Sequence, residues 1–223
     1  MKVGFVGLGN VGSKLAGSLL RNGYEVMVRD LNAAFVADFL ALGASAADSP
    51  KQLAQACDII ITCLPSPAAC SAVMEGTSTE EGIIAGLSDG KIWLEMSTTD
   101  ESEIRRIGAL VKAAGAEPVD CPVSGGCHRA DTGNISIFAG CSRAAFERAL
   151  PVLTTLGRRV LHTGELGTAS KLKVVTNYLA TAHLVALSEA LTACKVMDLD
   201  MNVSYEAIKA SSGNSFVHET ESQ

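Results

Sequence analysis

The run Gly7-Leu8-Gly9-Asn10-Val11-Gly12 constrains this chain more than any other stretch. It follows "KVGFV", residues 2–6, an apolar run that reads as a buried strand, and it leads into Val11, Leu15, Leu19 and Leu20, spaced as one face of a helix. A G-x-G-x-x-G turn between strand and helix suits a pyrophosphate. Gly7 allows the tight turn, Gly9 removes a side chain that would block the anion, and Gly12 lets helix and strand pack closely; the N–H groups of the helix start then meet the negative charge. Three glycines also serve purely structural turns, so the acidic tip of the next strand matters. "YEVMV" is that strand, and Asp30 stands at its end, eighteen residues beyond Gly12. A carboxylate there accepts hydrogen bonds from both adenosine ribose hydroxyls and repels a 2′-phosphate; a solvated turn aspartate is the alternative. Arg29 is expected on the opposite side of the strand and Leu31 offers no base. The expected cofactor is therefore NAD, with NADP disfavoured.

The alternation of strand and helix continues through the chain. "NAAFVADFLALG" reads as a helix capped by Asn32 and stopped at Gly43, Ser49-Pro50 with Gln52 has the form of a capping box, and "DIIITCL" is a strand apolar on both faces. "IWLEM", the helical "ESEIRRIGALVKAAG" and "EPVDCPV" follow. The pattern predicts an α/β fold with a doubly wound, Rossmann-type parallel sheet. Near Thr163 it changes: one long helix runs from Ala169 to about Val196, a second begins near Asn202, and no strand follows. We divide the chain into a NAD-binding domain, residues 1–162, and the start of an all-α C-terminal domain, residues 163–223.

Composition narrows the partners. A net charge of −6 without basic runs argues against nucleic acid and anionic membranes, and 48% hydrophobic residues over 223 positions suffice for a sizeable core. "MKVGFVG" enters a strand directly, leaving no room for a secretory signal, and every apolar run is expected to break off well short of the about 20 residues of a membrane span. The expectation is a soluble, cytoplasmic protein that acts on a small metabolite. Seven cysteines (57, 63, 70, 121, 127, 141 and 194) show neither C-x-x-C pairs nor His partners at zinc spacing, so no metal site is expected and they read as buried thiols. Cys127 beside His128 is the one candidate for an activated thiolate, although adjacency alone does not define a nucleophile and base.

Two further stretches carry chemistry. Ser124, Gly125 and Gly126 lie just past a strand end, where a loop offers N–H groups and a hydroxyl to a small anion such as a carboxylate; a plain flexible turn reads equally well. In "GTASKLKVVTN", Lys171 and Lys173 are about 200° apart on a helix, whereas Lys173 and Asn177 are about 40° apart and share a face. That face is a thin polar stripe on a helix apolar nearly all round, the signature of burial. A buried lysine loses ammonium stability and can act as acid or base, while a snorkelling structural lysine remains the alternative. Lys171 reads as surface charge.

These segments, in this order, resemble the β-hydroxyacid dehydrogenase family, which includes 3-hydroxyisobutyrate dehydrogenase, tartronate semialdehyde reductase and, more distantly, 6-phosphogluconate dehydrogenase. "GFVGLGNVGSKLAGSLLRNGYEV" looks like its cofactor signature, "DCPVSGG" like its substrate loop and "GELGTASKLKVVTN" like its catalytic segment. The resemblance implies that Lys173 is the catalytic acid/base, that Asn177 orients it and the substrate hydroxyl, and that Ser124, Gly125 and Gly126 hold a carboxylate. It also implies cofactor contacts from Leu8, Asn10 and Val11 within the signature, and from Leu64, Pro65 and Thr98 in "DIIITCLP" and "LEMST". The implied activity is NAD-dependent hydride transfer with a small 3-hydroxy acid or its semialdehyde, 3-hydroxyisobutyrate being the first choice. A tartronate semialdehyde or glyoxylate-type reductase is the alternative within the family. From a different class, the alternative is a truncated dinucleotide-binding module without turnover. Related imine reductases generally lack the lysine. The chain departs from the family pattern at His128, Ala169 and Thr176, and at its end, since the family continues past "AIKASSGNSFVHETESQ" through further helices that cover the site. The expected helical domain is thus incomplete, and a homo-oligomer is expected where those helices are present.

Overall fold

Period-two alternation, with both faces apolar, builds the sheet. A computed structural model of the chain describes residues 1–221, apart from the side chains of Cys127, His128 and Glu221; the expectations placed on Cys127 and His128 lie outside the described residues. In chain order come β1 (Lys2–Val6), α1 (Gly12–Arg21), β2 (Glu25–Arg29), α2 (Ala33–Ala41), β3 (Ser45–Ala46), α3 (Pro50–Ala56), β4 (Ile59–Thr62), α4 (Pro67–Glu75), β5 (Ile92–Glu95), α5 (Glu101–Ala113) and β6 (Glu117–Asp120). Then follow β7 (Val123–Ser124), α6 (Cys127–Asp131), β8 (Ile135–Gly140), α7 (Arg143–Leu156), β9 (Gly157–Gly164), α8 (Thr168–Val196), α9 (Met201–Ala210) and α10 (Phe216–Glu221).

The sheet runs β3-β2-β1-β4-β5-β6-β8-β7, with β9 added on β8. Strands β3 through β6 are parallel. Val3, Phe5, Ile59, Ile61, Ile92 and Leu94 bury one face of it with Leu15 and Leu19 of α1 and Val152 and Leu153 of α7. Their alternates Val6, Ile60 and Trp93 bury the other face with Leu53 of α3, Met74 of α4 and Ile104 and Ile107 of α5. Helices on both faces make the winding double, and the order reverses between β1 and β4, where open α/β sheets bind ligands. The last strands differ from the all-parallel expectation: β6 and β7 both run antiparallel to β8. The connection from β7 to β8 holds only the five-residue α6, too short for the crossover that parallel neighbours need. The sequence reading also passed over α4, β8, α7 and β9.

Local signals behave as their chemistry requires. Asn32 accepts from Ala34 N–H, and Ser49 accepts from Gln52 N–H at 3.1 Å. The reciprocal bond of the capping box shifts by one residue, Gln52 Oε1 accepting from Asp48 N–H.

The chain divides into two compact units, Met1–Lys173 and Val174–Gln223. In the second, His218 is buried, stacks against Tyr205 at 4.3 Å between ring centroids and hydrogen-bonds the Tyr205 carbonyl at 3.0 Å. One expectation for α8 is corrected. Its apolar circumference was read as buried, yet Val174, Val175, Tyr178, Leu179, Leu184 and Val185 are 44–70% exposed, because composition states what a helix can bury and not what covers it. Among the described residues, α8 is also long and apolar enough to cross a membrane by length and composition alone. Lys173 and Glu189 bound its uncharged run, residues 174–188, which stops short of the about 20 residues of a span, as expected.

Candidate functional site

The glycine turn separates what the protein needs from what a ligand needs. Gly7 has φ +97°, and a Cβ on it would stand 2.3 Å from the Cys63 carbonyl oxygen; a Cβ on Gly12 would stand 1.9 Å from the Gly7 carbonyl oxygen. Both are demanded by the fold itself. A Cβ on Gly9 would meet nothing within 4 Å, although Gly9 lines the cleft described below. The room it leaves is therefore outside the protein, where an anion approaches the start of α1. Asp30 is tied to this turn: Leu8 N–H donates to its Oδ2 at 2.6 Å and Asn32 N–H to its Oδ1 at 2.8 Å. A carboxylate has about four lone-pair sites, so each oxygen keeps one for a ribose hydroxyl.

A cleft of about 790 Å³ opens over the ends of β1, β2 and β4, within the size range of cofactor sites. It is lined by Gly7, Gly9, Asn10, Val11, Gly12 and Asp30, by Leu64, Pro65 and Thr98, and by Ser124, Gly125, Gly126 and Lys173. Thirteen of the fifteen residues singled out from sequence thus share one cavity of the first unit. Leu8 does not line it: its side chain is 1% exposed in the core and its N–H serves Asp30. Asn177 belongs to the second unit and is exposed. The residues fit a dinucleotide, with an open glycine for the pyrophosphate and a half-satisfied carboxylate for the ribose. Among the described residues, no three His, Cys, Asp or Glu side chains gather as metal ligands.

Lys173 owes its place to the first turn of α8. Asp120, at the end of β6 and fully buried, accepts from Ser170 N–H at 2.8 Å and Ser170 Oγ–H at 2.7 Å, so the strand that leads into the Ser124–Gly126 turn anchors the helix one turn before Lys173. Burial raises the Asp120 carboxyl above the usual range, against the donors that hold its ionised form. Burial also draws the Lys173 ammonium below the ordinary lysine value, the direction a proton carrier needs. Lys171 lies 3.1 Å from Glu101 and is 61% exposed, a surface pair. Gly125 and Gly126 both have positive φ, 126° and 84°, which turns their backbone at the cleft's edge.

Sequence reading missed two features of the floor and wall. Beneath Leu64, Ser97 and Thr98 lies fully buried Glu95, which accepts from Thr62 Oγ–H at 2.8 Å and Ser97 N–H at 2.7 Å. Trp93 Nε1–H donates to Thr62 Oγ, and Leu64 N–H to Ser97 Oγ, both at 2.8 Å. Burial raises the Glu95 carboxyl, and its signal was an acid ending the otherwise apolar strand "IWLE". The second is Arg29, which was expected to face away yet lines the cleft with Glu80, its ion-pair partner. Cys63 also lines the cleft, but burial pushes its thiol up to about 12, so it is no thiolate at neutral pH.

Two family models match the chain in succession. Residues 2–164 match the family described as the NAD binding domain of 6-phosphogluconate dehydrogenase, and residues 167–223 that described as NAD-binding of NADP-dependent 3-hydroxyisobutyrate dehydrogenase. The chain is 35% identical over 219 residues to 2-(hydroxymethyl)glutarate dehydrogenase of Eubacterium barkeri, covering 98% of this chain and 72% of that protein. It is 32% identical to the NAD-dependent L-serine dehydrogenase of Pseudomonas aeruginosa, with the same two shares of 98% and 72%. The crystal structure of 3-hydroxyisobutyrate dehydrogenase from Salmonella typhimurium superposes with a TM-score of 0.87 at 30% identity, over 98% of this chain and 76% of that one.

Proposed function

The chain belongs to the β-hydroxyacid dehydrogenase family, oxidoreductases acting on CH–OH groups, and on that premise we propose that it exchanges a hydride between NAD and a substrate HOCH2–CH(R)–COO⁻ or its semialdehyde. The substrates named for the three relatives share this skeleton and differ in R: carboxyethyl in 2-(hydroxymethyl)glutarate, ammonium in L-serine, methyl in 3-hydroxyisobutyrate. What carries the reading is one observation: the cleft lined by the glycine turn and Asp30 is also lined by Ser124, Gly125, Gly126 and Lys173. Val123, Met96 and Ile135 line it too, and Ile135 lies close to Gly125, so an apolar R such as methyl is favoured over a charged one.

In this reading Ser124 Oγ–H and the N–H groups of Gly125 and Gly126 receive the substrate carboxylate. Lys173, its ammonium weakened by desolvation, takes the hydroxyl proton in oxidation and returns it in reduction. Asn177, one turn further and about 40° round the helix, helps orient it. Asp30 holds the ribose and Gly9 admits the pyrophosphate. The bound nicotinamide supplies the hydride acceptor or donor. Self-association belongs to the same proposal, supported by the exposed apolar residues of α8, and so does a cytoplasmic location.

Following NADH formation with 3-hydroxyisobutyrate, L-serine, 2-(hydroxymethyl)glutarate and D-glycerate tests it. The expected order places 3-hydroxyisobutyrate first in kcat/KM. No turnover of any of the four, or undiminished turnover in Lys173→Ala, would sink the assignment.

A further inference from the structure

The acidic tip of β2 is only part of the charge at the adenosine end of the cleft. Arg29, the residue before Asp30, also lines the cleft, and its guanidinium is spoken for: Nη1 donates to the Asp48 carbonyl at 2.9 Å and Nη2 to Glu80 Oε1. Arg29 is 19% exposed and Glu80 34%. Glu80 comes from a different part of the chain, the turn after α4, and that turn is braced. Thr77 N–H donates to the Glu80 carbonyl at 2.8 Å, Gly76 and Glu81 bridge across it, and a Cβ on Gly82 would stand 2.4 Å from Gly76 N. Lys51 pairs with Glu81 at 2.7 Å. The Glu80 carboxylate is thus presented to Arg29 by a fixed turn and not by a loose side chain on a mobile loop.

Building on the NAD reading above, we propose that Glu80 is a specificity-determining residue: by pairing with Arg29 it withholds from the cofactor's 2′-position the one cation that β2 carries beside Asp30. A 2′-phosphate bears about 1.5 to 2 negative charges near neutral pH and requires a cation to receive it, best as a charge-assisted, forked pair with a guanidinium. With the pair intact, Asp30 and Glu80 outweigh Arg29 and the site is net negative. Selection against NADP then has two components, repulsion by Asp30 and sequestration of Arg29. Removal of the Glu80 carboxylate leaves Arg29 in place, still held by the Asp48 carbonyl, with one edge of its guanidinium open to the cleft.

The probe is adenosine 2′,5′-bisphosphate set against AMP, each titrated by calorimetry into the full chain, so that the readout does not depend on turnover. Three proteins are compared with wild type: Glu80→Gln, Glu80→Ala and Arg29→Met/Glu80→Ala. Thermal melting verifies that each is folded; the alanine is included because the amide can still accept from Arg29. The ratio of bisphosphate to AMP affinity is expected to rise about tenfold or more in Glu80→Ala, the contribution of one hydrogen bond to a charged group, and less in Glu80→Gln. The gain is expected to vanish in the double variant and to shrink at high salt. An unchanged ratio in both single variants, or a gain that survives loss of Arg29, overturns the inference while leaving the NAD reading intact. No AMP binding to any of the four proteins overturns the cofactor reading and the inference with it.

Discussion

Substituting alanine at Gly9 and at Gly12 separates a ligand's demand from the fold's. At Gly12 the new Cβ falls 1.9 Å from the Gly7 carbonyl oxygen, a backbone atom that cannot swing aside, so strand and helix must part by more than an ångström. Overpacking of this kind costs about 1–3 kcal/mol and more when backbone is the obstacle, so about 3 kcal/mol is expected. For a chain of 223 residues that corresponds to a Tm lower by about 6–12 °C. At Gly9 the Cβ meets nothing within 4 Å, and φ there is not in the positive range that strains an L residue. Loss of unfolded-state freedom then makes the variant slightly more stable, by about 0.4–1 kcal/mol. Yet the methyl group occupies the room left for the pyrophosphate, and a tenfold to hundredfold loss of NADH affinity is expected, about 1.4–2.8 kcal/mol. Circular dichroism melting gives the first quantity and NADH fluorescence titration the second. The outcome that refutes the reasoning is a Gly9→Ala protein that melts lower than wild type, or one that melts normally and binds NADH as well.

Lys173→Met is expected to cut kcat by about 10²-fold or more while leaving Tm at neutral pH equal or higher. The sign follows from burial: the folded state holds the ammonium less well than the unfolded state does, so wild-type stability rises with pH between the lowered pKa and 10.5, and the methionine variant lacks that slope. Asp120→Asn, probed by steady-state kinetics and melting, is expected to lose about 1–3 kcal/mol of stability and to lower kcat more than it raises KM, since the start of α8 loses its charged acceptor. Glu103 is held at about 2 by hydrogen bonds from Arg106 and Ser71. Its contribution is present above the ordinary value of 4.5 and fades as pH falls toward 2, so Tm measured between those limits should fall less steeply in Glu103→Gln.

What could be read along the chain was local. The strand–glycine–helix start, the caps at Asn32 and Ser49, and the phase that separates Lys173 from Lys171 all depend on residues within a few positions of one another. The two-faced burial of the sheet was legible for the same reason, because residues of both phases in "III" (59–61) and "VGFV" (3–6) are apolar or glycine. Arg29 was misplaced because its direction is decided by Glu80, 51 residues away, and by carbonyls after β3. Glu95 was passed over because its partner Thr62, which in turn accepts from Trp93 Nε1–H, comes alongside only when β4 and β5 pair.

By itself the sequence determined the alternation of strand and helix through β6 and thirteen of the residues that line the cleft, since hydrophobic period and turn chemistry act over one or two turns of chain. Tertiary structure alone decided which of those residues share a cavity, which charge neutralises which, and what covers an apolar face. Asp120 reaches Ser170 across 50 residues, Asp30 reaches Leu8 across 22, and α8, apolar enough to be buried, stands largely exposed. The physical reason is the same in each case: a hydrogen bond, an ion pair or a buried surface needs a partner brought alongside, and only folding supplies it.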